Sequence, residues 1–346
     1  MTSLTCLARC SAFLLMGCGL LPATSMAGEP GWRSYTVPAS ASTPEPIAVA
    51  LYYPTQAPAR AIAMGPFTVR VAIQAPPEAR VKGLIVLSHG TGGSELAHSS
   101  LAEALARGGY LVAALRHPGD NWQDRSLFQK SPGAFFSERP RQASRVIDAL
   151  LADPDWKDRI VTDARGPRIG ALGHSAGGYT VVALAGGQVD LSRIASHCRA
   201  SRADDPIFCG MGRTDQAPPA TPSPDLLLAP ATDTRVRAVV AMAPLGVMFT
   251  SASLAGTRVP VAVYAAELDR WLVPRFHAQW IARNIPDVAY HGIANAWHFA
   301  FMDRPATPIP TADGDAAADP PGFDRAALLA RLAVELPAFF DKALTQ

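Results

Sequence analysis

Short apolar runs rich in Val, Ile and Leu recur along this chain, and between them lie stretches whose apolar residues return every three or four positions. The runs fall at residues 33–37, 48–53, 68–73, 83–88, 110–115, 168–172, 236–243, 260–265 and 288–291. Helical periodicity fills residues 96–107, 141–151, 176–185, 274–284 and 323–344. Strands that are apolar on both faces and separated by helices are buried most simply in a largely parallel sheet covered on both sides. The expected fold class is therefore α/β. Of the 346 residues, 49% are hydrophobic and 17% charged, enough apolar material for one large core. A formal net charge of +2 is too small for the basic field that nucleic acid or an anionic membrane surface demands, so neither is expected as a partner.

Two stretches fit neither pattern. Residues 187–234 hold Cys198 and Cys209 and are rich in Pro, Asp and Ala; loops this long in a compact domain are insertions or lids. Residues 304–321 read as a solvated connector, and Asp313-Gly314-Asp315 lacks the spacing of a calcium loop. At the start of the chain, Arg9, an apolar stretch at residues 11–21 and Ser25-Met26-Ala27 read as a signal peptide over residues 1–27, leaving residues 28–346 as the catalytic domain. That apolar stretch is too short to span a bilayer, which takes roughly 20 residues. The alternative is a lipoprotein box at Leu15-Met16-Gly17-Cys18, which would leave Cys18 as a lipid anchor. Removing the leader removes Cys6, Cys10 and Cys18, so Cys198 and Cys209 remain as an even pair expected to form a disulfide in a periplasmic or secreted protein. No His/Cys cluster of ligand spacing accompanies them, and no metal is expected.

The most informative local signal is Gly173-His174-Ser175-Ala176-Gly177-Gly178, a G-x-S-x-G with a strand before it and a helix after it. Such a turn lifts a serine hydroxyl clear of the sheet, while the helix behind it directs amides toward the same point. A serine hydroxyl needs a base to take its proton and a carboxylate to orient that base. In chain order these are Asp269, just past the run at 260–265, and His298, just past the run at 288–291. Glu267 competes with Asp269 for the acid role. The oxyanion hole is expected from the amide of Ala176 and from His89-Gly90-Thr91-Gly92-Gly93, with Thr91 the first choice of donor and Gly92 the second. Those glycines lack the Lys-Ser/Thr ending of a phosphate-binding loop. His117-Pro118-Gly119-Asp120-Asn121-Trp122 opens onto the same sheet edge, and His117, Asp120 and Trp122 are expected to line a substrate pocket.

The segments at 84–93, 117–121 and 173–179 together resemble the predicted dienelactone hydrolases of the α/β-hydrolase fold, a group similar to the platelet-activating-factor acetylhydrolases. The resemblance runs over nearly all of the chain beyond the leader. It implies hydrolysis of an ester with a short or compact acyl group, without metal or organic cofactor. Dienelactone hydrolases proper use a cysteine where this chain has Ser175. The acetylhydrolases carry their acid after an earlier strand, where residues 239–244 here have no carboxylate. The expected function is thus a serine esterase acting through an acyl-enzyme on a small-molecule ester. An amidase, peptidase or acyltransferase using the same serine is the alternative, with a noncatalytic binding protein on the same scaffold behind it. Oligomeric state leaves no readable trace.

Overall fold

The computed structural model describes residues 1–2, 28–39, 45–211 and 226–346. Both the leader cleavage site and Cys18 lie outside these residues. The chain begins with β1 (Glu29–Val37), β2 (Ile47–Thr55), β3 (Arg60–Met64), β4 (Phe67–Ile73) and β5 (Leu84–Ser88). There follow α1 (Ser99–Arg107), β6 (Leu111–Leu115), α2 (Pro132–Ala152), a ribbon of β7 (Thr162–Asp163) and β8 (Gly166–Pro167), β9 (Ile169–His174) and α3 (Ala176–Leu184). The inserted segment carries α4 (Leu191–Ser201) and α5 (Pro206–Gly210), after which come β10 (Val236–Met242), α6 (Ser251–Ala255), β11 (Val261–Ala266), α7 (Ala278–Asn284) and β12 (Ala289–Ile293). A second ribbon, β13 (Pro310–Thr311) and β14 (Gly314–Asp315), precedes α8 (Arg325–Thr345).

Ten strands form one sheet in the order β12-β11-β10-β9-β5-β6-β2-β1-β4-β3. From β6 to β12 every pairing is parallel, while β2 joins β6 and β1 in antiparallel register. Alternation along β5 explains the two-sided cover: Leu84 and Val86 face one core, Ile85 and Leu87 the other. The first core is closed by α2 and α3 through Val146, Ile147, Val181 and Val182, the second by α1 and α8 through Leu101, Leu105, Leu332, Leu336 and Phe340. Each such buried Leu or Phe contributes about 1.5–3 kcal/mol relative to leaving it in water. Asp324 caps α8 by accepting from the Ala327 amide at 2.9 Å.

Three differences from the sequence reading have physical causes. Helix α2 starts at Pro132, not near residue 141, because Pro140 is carried inside the helix instead of ending it. Strand β3 is absent from the sequence reading: Ala61-Ile62-Ala63-Met64 is a short run, and as the edge of the sheet it stays exposed or half-buried. The 304–321 segment is fastened rather than freely solvated. The buried Arg325 guanidinium donates to Ala316 O and Ala318 O at 2.9 Å and pairs with Asp319, while Asp313 pairs with Arg270 at 2.8 Å. In the insertion, Cys198 on α4 and Cys209 on α5 are joined by a disulfide with Cα atoms 5.4 Å apart.

Candidate active site

Ser175 sits between the end of β9 and the start of α3 with φ 58° and ψ −119°, a left-handed conformation that costs a non-glycine residue about 1–3 kcal/mol. Close packing enforces the bend. A Cβ on Gly177 would come within 1.9 Å of Ser88 O, and one on Gly173 within 2.1 Å of Gly177 O. The Ser175 amide donates to Met242 O at 2.9 Å and its carbonyl accepts from Leu245 N at 3.1 Å, so β10 and the loop beyond it hold the turn from the other side.

The Ser175 hydroxyl donates to His298 Nε2 at 2.9 Å, and His298 Nδ1 donates to Asp269 Oδ2 at 2.8 Å. The other carboxylate oxygen of Asp269 accepts from the amides of Trp271 and Leu272 at 2.9 and 2.8 Å. Glu267 is exposed and takes no part in this chain of bonds. His298 opens a short helical turn after β12, and its carbonyl accepts from His174 Nε2 at 2.9 Å. A neutral imidazole so placed can take a proton from the hydroxyl, and the carboxylate stabilises the cation that forms.

Thr91 and Ala176 line the same cleft as Ser175, and among the described residues their amides make no hydrogen bond. The Gly92 amide is already committed, donating to Asp120 Oδ1 at 2.9 Å. Of the two donors expected from that loop, Thr91 and Gly92, Thr91 is thus the uncommitted one.

The residues expected to line the pocket lie elsewhere. His117 and Asp120 are fully buried beneath the 89–93 loop, and Trp122 is 61% exposed on the surface. Both buried residues belong to a polar network around Arg139, a residue of α2 that is also fully buried. Arg139 pairs with Asp120, donates to His89 O, and reaches Ser88 Oγ at 3.2 Å and Thr180 Oγ1 at 3.1 Å. His117 accepts from Ser88 Oγ at 2.8 Å and donates to Gln142 Oε1 at 2.7 Å, and burial, followed by the Arg139 charge, pushes its imidazole well below the ordinary range. The network fixes the loop that presents Thr91. Breaking a buried pair such as Arg139–Asp120 costs about 3–5 kcal/mol, because the surviving charge is stranded.

The cleft itself has a volume of about 140 Å³ and is walled by Ala97, His98, Arg125, Met211, Leu245, Trp271, Leu272, Phe299 and Met302 around the Ser175 turn. None of these walls was singled out from the sequence. A wider groove of about 680 Å³, lined by Arg193, Arg275, Arg283 and Trp280, contains none of Ser175, His298 or Asp269.

The architecture now has a sequence counterpart: a family model described as the alpha/beta hydrolase family matches residues 85–309. The chain belongs to the alpha/beta hydrolase family. In this chain the turn after β9 meets the loops after β11 and β12 at one edge of the sheet. In structure, the chain is similar to a ferulic acid esterase from Streptomyces cinnamoneus, with a TM-score of 0.62 and 22% identity over 94% of this chain and 92% of that one. At that identity the likeness is one of fold. A comparison with curated protein sequences finds no match.

One further cluster was hidden by its spacing. His197 of α4, Asp205 before α5 and His277 before α7 bring their ligand atoms within 4.8 Å of one another, with His197 also beside the disulfide. His197 and His277 donate from Nε2 to Asp205 Oδ2 at 2.8 and 2.9 Å, and His277 Nδ1 accepts from the Gly246 amide at 3.2 Å. That last bond places the ring proton on Nε2, whereas a metal there would need a bare nitrogen. The set fits a hydrogen-bonded clamp between the insertion and the body better than a metal centre. Burial alone would raise the Asp205 carboxyl, but the two imidazole hydrogen bonds outweigh it and hold the group below the usual carboxylate range.

Proposed function

We propose that this chain is an exported serine esterase, periplasmic or secreted, that hydrolyses carboxylic esters with a short or compact acyl group. Ser175 Oγ attacks the ester carbonyl while His298 Nε2 takes its proton. The carbonyl oxygen gains negative charge where the Thr91 and Ala176 amides can donate to it. As the carbon–oxygen bond to the alcohol breaks, His298 returns the proton to the leaving oxygen, and an acyl-Ser175 remains. Water then enters, loses a proton to His298 and attacks the acyl carbon. The second collapse restores the Ser175 hydroxyl and releases the acid. Asp269 keeps the Nδ1 proton of His298 in place throughout.

The observation that carries this reading is the unbroken hydrogen-bonded chain from the Ser175 hydroxyl through His298 to Asp269, ending at a turn beside two uncommitted amides. The small cleft volume supports a compact acyl group. Likeness in fold to a ferulic acid esterase agrees with ester chemistry, and the sequence resemblance suggests a dienelactone hydrolase-like subgroup that has replaced cysteine by serine. A disulfide suits an oxidising compartment. In the test, a fluorophosphonate probe should label the protein and fail to label Ser175→Ala, whose ester turnover should drop by about 10⁴–10⁶-fold. A panel of p-nitrophenyl esters of graded chain length should be cleaved far faster than matching anilides. Labelling that survives the substitution, or anilides cleaved as fast as esters, would remove the proposal.

A further inference from the structure

Every histidine of this chain lies within the described residues, and His98 stands apart from the other buried ones. His89, His117, His174, His197, His277 and His298 each have a hydrogen-bond partner. His98 has none: it is 2% exposed, and both ring nitrogens are buried without a partner. It sits at the start of α1 with its ring 5.2 Å from that of His174, whose ring is in turn 5.0 Å from that of His298. Its side chain does not cap the helix either. What His98 does line is the cleft that holds Ser175, Thr91 and Ala176.

A second orphan lines the same cleft. The indole Nε1 of Trp271 is buried without a partner, while its ring lies nearly parallel to that of His298 at 5.8 Å. The rest of the wall is largely apolar, with Ala97, Leu245, Leu272, Phe299 and Met302. Buried polar groups are normally satisfied, so two unsatisfied ones in the wall of one small reactive cleft point to a partner that arrives with the substrate.

The chemistry of the orphans narrows what that partner is. A neutral imidazole offers one N–H and one bare nitrogen, and an indole offers only an N–H. Burial lowers the His98 imidazole to about 4, which keeps it neutral at ordinary pH. A carbonyl or carboxylate oxygen accepts hydrogen bonds but has nothing to give to the bare nitrogen. A hydroxyl can both donate to it and accept from an N–H. We propose that His98 and Trp271 form a subsite that reads a hydroxyl group on the ester substrate, so that the enzyme prefers hydroxylated esters over their deoxy counterparts. This rests on Ser175 being the nucleophile, and it adds the substrate class. The hydroxyl can sit on the acyl or on the alcohol part, and the two sources are separable.

The experiment compares kcat/KM within two matched pairs, ethyl hydroxybutyrate against ethyl butyrate for the acyl side and glycerol monobutyrate against propyl butyrate for the alcohol side. Wild-type protein should favour the hydroxylated member of one pair by about tenfold or more, since a site built to bond a hydroxyl discriminates strongly against its absence. In His98→Phe that ratio should collapse to about one, and in His98→Gln, which keeps one donor and one acceptor, part of it should return. A merely structural role would lower both members of a pair alike and leave the ratio intact. Fluorophosphonate labelling is followed in parallel. Wild-type protein that labels but shows equal kcat/KM within both pairs overturns the hydroxyl subsite and leaves Ser175 standing, and so does a preference that survives in His98→Phe. Wild-type protein that does not label overturns the nucleophile and the subsite with it.

Discussion

Among the described residues two buried aspartates, Asp269 and Asp205, are bonded by imidazoles, and the contact distances are almost the same. Asp269 accepts from His298 at 2.8 Å, and Asp205 accepts from His277 at 2.9 Å. They differ at the far side of each ring. His298 turns its second nitrogen to a serine hydroxyl at the wall of a cleft, whereas His277 turns its second nitrogen to the Gly246 amide. The carboxylates differ in the opposite sense. Asp269 is fully used, with two amides on its other oxygen, while Asp205 leaves Oδ1 buried without a partner and shares Oδ2 with His197. An Asp–His pair is therefore not by itself a sign of reactivity. What matters is whether the ring has a free nitrogen facing a group that must lose a proton.

The widest separation between the pairs is expected in activity. Asp269→Asn keeps the shape of the side chain but no longer favours a proton on Nδ1, and under the proposed mechanism it should lower kcat by about 10⁴-fold. Asp205→Asn, measured with the same ester, should change kcat by less than about tenfold. Comparable losses in both variants would erase the distinction drawn here and make the second pair part of the reactive apparatus.

In stability the order should reverse, with the smaller magnitudes that belong to hydrogen bonds. Asp205 ties α4, the start of α5 and the start of α7 to one another, so Asp205→Ala leaves two buried imidazole donors unpaired. Its expected cost is about 3 kcal/mol in a urea unfolding titration. The disulfide beside it constrains a loop with a sequence separation of only 11, and the double change Cys198→Ser, Cys209→Ser should cost about 2–3 kcal/mol. Because His197 neighbours both cysteines, the combined variant should cost less than the sum of the two.

This contrast also explains what the sequence revealed. Ser175, Asp269 and His298 each lie past the carboxyl end of a strand, and open parallel sheets gather such positions at one edge, so local pattern and chain order were enough to bring them together. The position of Thr91 at the cleft and the cysteine pair were legible for similar reasons, a glycine-rich loop after a strand and an even count. The clamp was not, because Asp205 and His277 are separated by 72 positions and nothing in either neighbourhood announces the other. Arg139 was hidden inside a helix whose start the internal Pro140 disguised. Had the buried placement of Asp120 been suspected, its need for a cation would have been the clue. His117 and Asp120 follow a strand as Ser175, Asp269 and His298 do, but their side chains turn beneath the loop instead of into the cleft, a choice that period and spacing do not encode.

A third carboxylate sets the limit of the comparison, since it has no imidazole. Glu103 of α1 is 6% exposed, accepts from the Arg70 amide at 2.7 Å and pairs with Arg107 at 3.3 Å. Burial dominates over both contacts and raises its carboxyl to about 7. The folded protein therefore holds this proton more tightly than the unfolded chain, where the group titrates near 4.5. Between those values only the folded state is protonated here, so Glu103 adds stability at low pH and that contribution is lost as pH rises through about 7. Allowing for partial screening, the change should be about 1–2 kcal/mol between pH 5 and pH 8, seen as a falling urea midpoint. Glu103→Gln, which is neutral throughout, should flatten that slope, and an unchanged slope would mean that Arg70 and Arg107 satisfy the carboxylate as fully as the two amides satisfy Asp269.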